Sequence, residues 1–358
     1  MAKKTNPGNY LEDFEIGSTL EHAIPRTVTE GDQSLYISLY GDRFPLHCSA
    51  EYARSLGYER ETINDLLTFH VVFGKSVPDV SLNAVANLGY AAVRFLAPVY
   101  PGDTLRTVSK VLGKKENTSG KNGIVWVQTT GTNQRGDTVL DFYRWVMVNK
   151  RDPGTPMPGE AVVPEMPKEV KPEELQVHPC LKLDQYENWP SGARAFFEDY
   201  EKGERIDHVD GMTIEEAEHM LATRLYQNTA KVHFDAYAAK DTRFGKRLIY
   251  GGHIISLARS LSFNGFENAL AILAWNGGAH SNPTFAGDTI YAWSEVLDTA
   301  EVPGRSDCGA VRVRLVAVKN ADPVKEEVTL KVDKDGKQVY HENVVLDLDY
   351  WLLMPRRR

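Results

Sequence analysis

The sequence predicts an α+β protein built from two similar halves, in each of which an antiparallel sheet wraps around one long helix. Three observations support this prediction. The chain of 358 residues is longer than one ordinary domain, and segments of its first half recur about 186 residues later. Seven of its 18 prolines fall within 153–179, between the two copies. Each copy contains an amphipathic helix pattern, then a mostly apolar helix, then a series of strand patterns.

The repeat is clearest at two landmarks. YLEDFEIG at 10–17 recurs as FFEDYEKG at 196–203, with four identities and two aromatic exchanges. GDTLRTVSKVL at 102–112 recurs as GDTIYAWSEVL at 287–297, with six identities in eleven positions. A single duplicated unit explains both matches.

The proline-rich stretch separates the two copies. Because proline fixes φ and lacks the N–H donor that regular structure uses, we expect this stretch to be extended and solvent-facing. The sequence therefore divides into a first domain at 1–150, a linker at 151–185 and a second domain at 186–358.

The helix patterns occupy corresponding places in the two halves. Amphipathic segments at 28–40 and 214–226 follow Thr27 and Thr213, which we expect to be N-caps. The segments that are apolar on most sides, as a helix inside a sheet would be, are 65–77 and 252–263.

Alternating and β-branched residues predict four strands after each apolar helix. The predicted strands are 90–100, 105–112, 123–132 and 139–148 in the first half, and 288–297, 310–319, 327–336 and 338–353 in the second. A long buried helix followed by an antiparallel meander is typical of the hotdog fold. Because a single hotdog covers one sheet edge by dimerising, we expect the tandem copies to pack as an internal pseudo-dimer.

Composition excludes several classes of protein. The net charge of −8 lacks the cationic surface that a nucleic acid partner requires. No apolar run approaches the twenty residues of a membrane span, and we expect no membrane partner. The three cysteines are far apart and never form a CxxC pair, which favours a reducing cytoplasm over a disulfide framework or a thiolate zinc site.

The segment G-D-R-F-P-L-H at 41–47 places an acid and an imidazole five residues apart. In such a loop His47 can take a proton from water while Asp42 orients the water or the ring, which is general acid–base catalysis. From the spacing alone, a surface aspartate and a loop histidine with satisfied hydrogen bonds is the simpler interpretation.

Resemblance to a known family favours catalysis. The segment at 41–47, the helix start that follows it and A-P-V-Y-P-G-D-T at 97–104 resemble the signature of the MaoC-like, R-specific enoyl-CoA hydratases. The resemblance covers essentially the whole chain as two tandem copies and implies a double hotdog fold. It also implies that Asp42 and His47 activate one water for syn addition to an enoyl thioester.

The resemblance further implies that a backbone N–H at the start of the hotdog helix binds the thioester oxygen. The matching positions are Asp65 and Leu66 in the first half, and Gly251 and Gly252 in the second. A helix N-terminus presents free N–H groups to a developing oxyanion.

The chain departs from the family pattern in two places. Phe44 stands where the family has asparagine between the acid and the histidine. In the second half Asn228 occupies the place of Asp42, although His233 is kept, so the second pair is broken. We favour a single site in the first half over a composite site in which Asp42 and His47 face Gly251 and Gly252.

Both halves together most resemble the family members that hydrate a methyl-branched enoyl-CoA with a free carboxylate. That carboxylate needs a nearby cation, and Arg43, Arg26 and Arg94 are candidates, with surface salt bridges as the alternative. We expect an acyl-CoA thioester as the partner, no metal and no redox cofactor, and leave homo-oligomer formation open.

Three other functions remain. An R-specific hydratase of fatty enoyl-CoA would need no carboxylate-binding residue. A hotdog thioesterase would attack the thioester with a carboxylate and release free thiol. A non-catalytic acyl-CoA-binding protein is consistent with Phe44 and the broken second pair.

Overall fold

The computed structural model describes residues 4–157 and 159–358. Residues 1–3 of the predicted first domain and Pro158 of the predicted linker lie outside the described residues. Within those ranges the chain forms one eleven-stranded antiparallel sheet and a small two-stranded hairpin. The predicted α+β architecture is confirmed, and the domain boundaries stay predictions.

The large sheet takes strands from both halves. The first half supplies β1 (Thr19–Thr27), β2 (Ala84–Phe95), β3 (Thr104–Glu116), β4 (Asn122–Thr132) and β5 (Thr138–Asn149). The second half supplies β6 (Arg205–Asp207), β7 (Met212–Thr213), β8 (Ala271–Ala279), β9 (Thr289–Glu301), β10 (Cys308–Lys319) and β13 (Val344–Pro355). The separate hairpin consists of β11 (Lys331–Lys334) and β12 (Lys337–Tyr340).

The two halves meet edge to edge. The order is β1-β3-β4-β5-β2 in the first half, continuing as β8-β13-β10-β9-β6 in the second. At the junction β2 and β8 run antiparallel, with Tyr90 opposite Gly278 and Arg94 opposite Ala274. An edge strand leaves a row of N–H and C=O groups unpaired, and this pairing satisfies them. The internal pseudo-dimer is therefore one continuous sheet.

Two long helices pack against the strands of this sheet. They are α4 (Asp65–Ser76) and α8 (Gly251–Leu261), and every residue from 66 to 76 and from 252 to 261 is buried. The remaining helices are α1 (Glu30–Tyr40), α2 (Pro45–Cys48), α3 (Ala50–Ser55), α5 (Glu216–Leu225), α6 (Lys231–Phe234) and α7 (Ala236–Ala239). None of the helices in the described part of the chain is long and apolar enough to cross a membrane.

Residues that are 186 positions apart meet at the centre of the molecule. The hydroxyl oxygens of Tyr40 and Tyr226 lie 2.7 Å apart, and Nε2 of His70 lies 2.8 Å from Oγ of Ser256. In a two-fold dimer, a residue on the axis contacts its own symmetry mate. These pairs therefore mark the pseudo-two-fold axis that relates the halves.

The predicted caps of the amphipathic helices are wrong. Thr29, two residues beyond Thr27, caps α1 by accepting from the Asp32 N–H, and α5 has no side-chain cap. Thr27 and Thr213 instead end strands, where their hydroxyls bond those of Thr104 and Thr289. Each threonine precedes a helix, but its hydroxyl pairs with a threonine on the neighbouring strand and is not available to cap the helix.

The linker is only partly solvent-facing. After residue 169 its apolar side chains pack into the core, and the carbonyl of Val170 accepts a hydrogen bond from Trp351 Nε1 at 3.0 Å. The buried apolar side chains from 169 to 186 are Val170, Leu175, Leu181, Leu183 and Tyr186. The expectation of exposure is wrong here because these residues cover apolar surface of the sheet, including Trp351.

Candidate active site

The Asp42–His47 segment leads from the end of α1 into the short helix α2, which contains His47. Gly41 ends α1 in the left-handed conformation, with φ of 60°, which glycine adopts without strain. Pro45 then begins α2, so Asp42 and His47 lie on either side of a tight turn. Both are only 5% exposed.

Asn64 holds the Asp42 carboxylate. Its side-chain N–H donates to Oδ2 of Asp42 at 2.7 Å, while its side-chain oxygen accepts from the Leu66 N–H at 2.8 Å. The Phe44 N–H donates to the other carboxylate oxygen at 3.3 Å. An amide therefore does contact Asp42, although the residue between the acid and the histidine is phenylalanine. It comes from the N-cap of α4.

His47 is held from two sides. Its Nδ1 lies 2.9 Å from Oγ1 of Thr62, and its main-chain oxygen accepts from Gln33 Nε2 at 3.0 Å. Gln33 also accepts from the Asn64 N–H at 2.9 Å, so a single network connects the histidine to the group that holds Asp42. Among the described residues Nε2 of His47 makes no hydrogen bond, and it lies 3.9 Å from Oδ2 of Asp65. The ring is fixed while this nitrogen stays available.

The start of α4 offers one free backbone donor. The Asp65 N–H hydrogen-bonds to no protein atom of the described residues. The Leu66 N–H is taken by Asn64, which corrects the prediction that Leu66 offers its N–H to substrate. The Asp65 carboxylate accepts from the Ile272 N–H of β8 at 2.9 Å, so a strand of the second half holds the start of α4 in place.

The start of α8 lies beside the histidine of its own half. A cavity of about 300 Å³ is lined by His233, Asn228, Gly251 and His280, and not by Asp42 or His47. A Cβ on Gly251 would lie 2.5 Å from the His280 ring, and one on Gly252 equally close to His70, so glycine is needed here for packing. The composite arrangement, in which Gly251 and Gly252 face the first pair, is not formed.

The second-half histidine is kept neutral. Its Nδ1 lies 2.8 Å from the Leu248 carbonyl, and burial lowers the pKa of His233. Asn228 uses its side-chain oxygen to accept from the Ala230 N–H at 3.2 Å. This cavity therefore has an imidazole and no acid at the matching position.

The three predicted arginines all have carboxylate partners. Arg26 pairs with Asp32 at 2.5 Å and Arg94 with Glu174 at 2.9 Å. Arg43, which is half exposed, lies 3.6 Å from Asp210. All three guanidinium groups therefore lie beside a carboxylate of the protein, which agrees with the salt-bridge alternative.

Sequence reasoning missed four residues around this site: Gln33, Thr62, Asn64 and the buried Arg259 of α8. The guanidinium carbon of Arg259 lies 3.6 Å from the centre of the Phe44 ring. Thr62 and Asn64 lie within three residues of the predicted helix start at 65. Asparagine is a common N-cap, so its position directly before the helix was the signal that would have identified Asn64. Within the described ranges no three His, Cys, Asp or Glu side chains cluster as metal ligands would.

Solved structures match this fold over its full length. A MaoC domain protein dehydratase from Chloroflexus aurantiacus superposes with a TM-score of 0.94 at 57% identity, covering 100% of both chains. A conserved hypothetical protein of Mycobacterium tuberculosis described as a double hotdog superposes with a TM-score of 0.76 at 22% identity, covering 97% of this chain and 98% of its own. The fold thus defines a MaoC-like double hotdog protein.

Sequence comparison narrows the class. Residues 1–329 match the family model of mesaconyl-CoA hydratase, and the chain belongs to that family of hydro-lyases. A β-methylmalyl-CoA dehydratase of Chloroflexus aurantiacus is 57% identical over 100% of both chains. A mesaconyl-CoA hydratase of Cereibacter sphaeroides is 54% identical, over 99% of this chain and 100% of its own.

Proposed function

We propose that this chain interconverts mesaconyl-CoA and β-methylmalyl-CoA, with Asp42 and His47 as the acid–base pair. One observation carries the assignment of the site: a single hydrogen-bond network holds both side chains beside a helix start with a free N–H. Family membership supports the substrate. The second half, with Asn228 in place of the acid, has no acid–base pair of its own.

In the hydration direction, the available Nε2 of His47 takes a proton from water while Asp42 orients that water. The water oxygen attacks the carbon of the double bond that carries the free carboxylate. Negative charge then develops on the thioester oxygen, where the Asp65 N–H at the positive end of α4 stabilises it. The Asp65 carboxylate, 3.9 Å from Nε2, stabilises the imidazolium.

The imidazolium then returns its proton to the carbon next to the thioester. Because the same ring served the water, both additions occur on one face, which is syn. Addition of water to a conjugated thioester is acid–base chemistry throughout, so we propose that it uses no metal or redox cofactor. Coenzyme A enters as part of the substrate, and we place the reaction in the cytoplasm, consistent with the unpaired state of Cys48, Cys180 and Cys308.

The test follows the ultraviolet absorbance of the conjugated thioester after mixing enzyme with mesaconyl-CoA and, separately, crotonyl-CoA. We expect loss of the mesaconyl-CoA signal without release of free thiol. Asp42→Asn and His47→Gln should each slow turnover about a hundredfold or more. His233→Gln, the matched change in the second half, should leave turnover within about threefold.

Other outcomes point elsewhere. Activity on crotonyl-CoA alone indicates a fatty enoyl-CoA hydratase, and thiol release indicates a thioesterase. No reaction with either substrate indicates an acyl-CoA-binding protein. If His233→Gln abolishes turnover and Asp42→Asn does not, the second-half cavity is the site.

A further inference from the structure

Two arginines are buried in the described part of the chain, Arg144 of β5 and Arg259 of α8. Neither has a carboxylate within 4.0 Å among the described residues, whereas surface arginines such as Arg26 and Arg94 do. Burying an unpaired guanidinium is costly. An arginine kept in this state points to an anion that is absent until a ligand binds.

Arg259 faces the acid–base loop. Its guanidinium carbon lies 3.6 Å from the centre of the Phe44 ring, and Phe44 stands between Asp42 and His47 in the chain. Burial lowers the pKa of Arg259, whereas Tyr350, Asp42 and Asp65 raise it, which places both carboxylates of the site within electrostatic reach. The second half thus contributes a cation to a site whose acid–base pair lies in the first.

Part of the guanidinium is unused. Nη1 of Arg259 donates to Oγ of Ser262 at 3.0 Å, and the guanidinium lies beside the buried Tyr350 hydroxyl, but no carboxylate of the described residues pairs with it. Nε and Nη1 of Arg144 are sealed from solvent without partners, but no nitrogen of Arg259 is sealed in this way. Arg259, which is 7% exposed, is therefore the buried arginine whose free nitrogens are not completely closed off from solvent.

The repeat shows that this placement is particular to one half. Ser76 and Ser262 are equivalent by the 186-residue offset, and each binds a buried arginine. On α4, however, Phe73 occupies the position of Arg259, and the first-half guanidinium comes from Arg144 of β5, stacked over Phe73 at 4.4 Å. Only on α8 does the helix itself carry the arginine, and this brings it to Phe44.

We propose that Arg259 binds the free carboxylate of the acyl group, with Phe44 as the ring on which its guanidinium stacks. The proposal rests on the proposed function, since it assumes a substrate with that carboxylate. The planar guanidinium matches a carboxylate with two parallel N–H donors, and stacking on an aromatic face fixes its orientation. Phenylalanine in place of the family's asparagine is accounted for by this stacking.

Two saturated thioesters that cannot be hydrated test the proposal by calorimetry. Succinyl-CoA has a terminal carboxylate, and butyryl-CoA has a methyl group at that end of a chain of the same length. We expect the wild type to bind succinyl-CoA at least tenfold more tightly. Arg259→Met should reduce this preference to threefold or less and leave the affinity for butyryl-CoA within threefold, which also reports an intact fold. Arg135→Met, in the turn between β4 and β5, is the control and should keep the preference.

An Arg259→Met variant that still prefers succinyl-CoA tenfold overturns the proposal, as does a wild type with no preference. If the methionine variant does not fold, Arg259→Lys replaces it, because lysine keeps the charge but lacks the paired N–H donors of a guanidinium. The preference of this variant for succinyl-CoA over butyryl-CoA should fall at least threefold. An unchanged preference counts against Arg259. Turnover of mesaconyl-CoA is measured separately. An active wild type with an unaffected Arg259→Met variant refutes the role of Arg259 alone, whereas an inactive wild type refutes the proposed function.

Discussion

Asn64 combines two tasks that substitution can separate. As N-cap of α4 it accepts from the Leu66 N–H, and with the same amide group it donates to Asp42. Asn64→Ala removes both contacts. Loss of an N-cap costs about 1 kcal/mol, and loss of a hydrogen bond to a charged group costs about 1.5–3 kcal/mol. We therefore expect Asn64→Ala to lower the free energy of unfolding by about 2.5–4 kcal/mol.

Asn64→Ser retains a good cap but is too short to reach Asp42. It should lower the free energy of unfolding by only about 1.5–3 kcal/mol, yet reduce kcat as much as Asn64→Ala does. A loss of 1.4 kcal/mol in orientation of Asp42 corresponds to about tenfold in rate, so we expect at least a tenfold fall in kcat with little change in KM.

Urea unfolding and mesaconyl-CoA hydration, measured on the same preparations, provide the assay. Thr29→Ala is the matched control, because it removes the cap of α1 without touching Asp42 and should cost about 1 kcal/mol with kcat unchanged. An Asn64→Ser enzyme with wild-type kcat would show that Asp42 is oriented without Asn64 and refute the reasoning.

Two further predictions concern the pseudo-two-fold axis. Tyr40→Phe leaves the buried Tyr226 hydroxyl and Nδ1 of His253 without their shared partner, and should lower the free energy of unfolding in urea by about 2–4 kcal/mol. Tyr226→Phe keeps the Tyr40–His253 contact and should lower it by less. The reverse order would contradict this network. Burial lowers the pKa of His70 and of His253 to about 3, from about 6.5 in the unfolded chain. Below pH 6.5 these two histidines bind protons in the unfolded state but stay neutral in the folded state. The free energy of unfolding should therefore fall towards pH 3 by up to about 1.4 kcal/mol per pH unit for each histidine. The His70→Gln, His253→Gln double variant should show a shallower fall in urea midpoint between pH 7 and pH 5.

The buried helices and the duplication were readable from sequence. The apolar segment at 65–77 became α4 at Asp65–Ser76, because a helix enclosed by a sheet needs apolar residues on nearly every side. The constant offset predicted a pseudo-dimer, and Tyr40 with Tyr226 now mark its axis.

Strands that depart from simple alternation were missed. In β1, Pro25 and the positive φ of Ile24 interrupt the pattern, and the pairing with β3 shifts there. In β8, Gly277 and Gly278 break the strand pattern in the sequence, although the strand pairs on both sides, with β2 and β13. The last predicted strand, 338–353, divides into β12 and β13 at an irregular segment between them.

The sequence suggested candidate site residues only where they lie close together in the chain. Asp42 and His47 lie within one short motif, so spacing and resemblance were enough to select them. Arg259 lies more than 200 residues away on a helix whose burial suggests only core packing, and its importance depends on a contact across the repeat. A single sequence contains no local signal for such a contact.

The axis pairs also show what a fused chain permits that a homodimer does not. Two identical subunits must bring the same residue to their axis from both sides, so a histidine there would face a histidine. Here His70 faces Ser256, and a neutral imidazole has a hydroxyl partner instead of a second ring. In a fused chain the residues that meet at the axis therefore need not be identical, and the two halves can contribute different residues to one site.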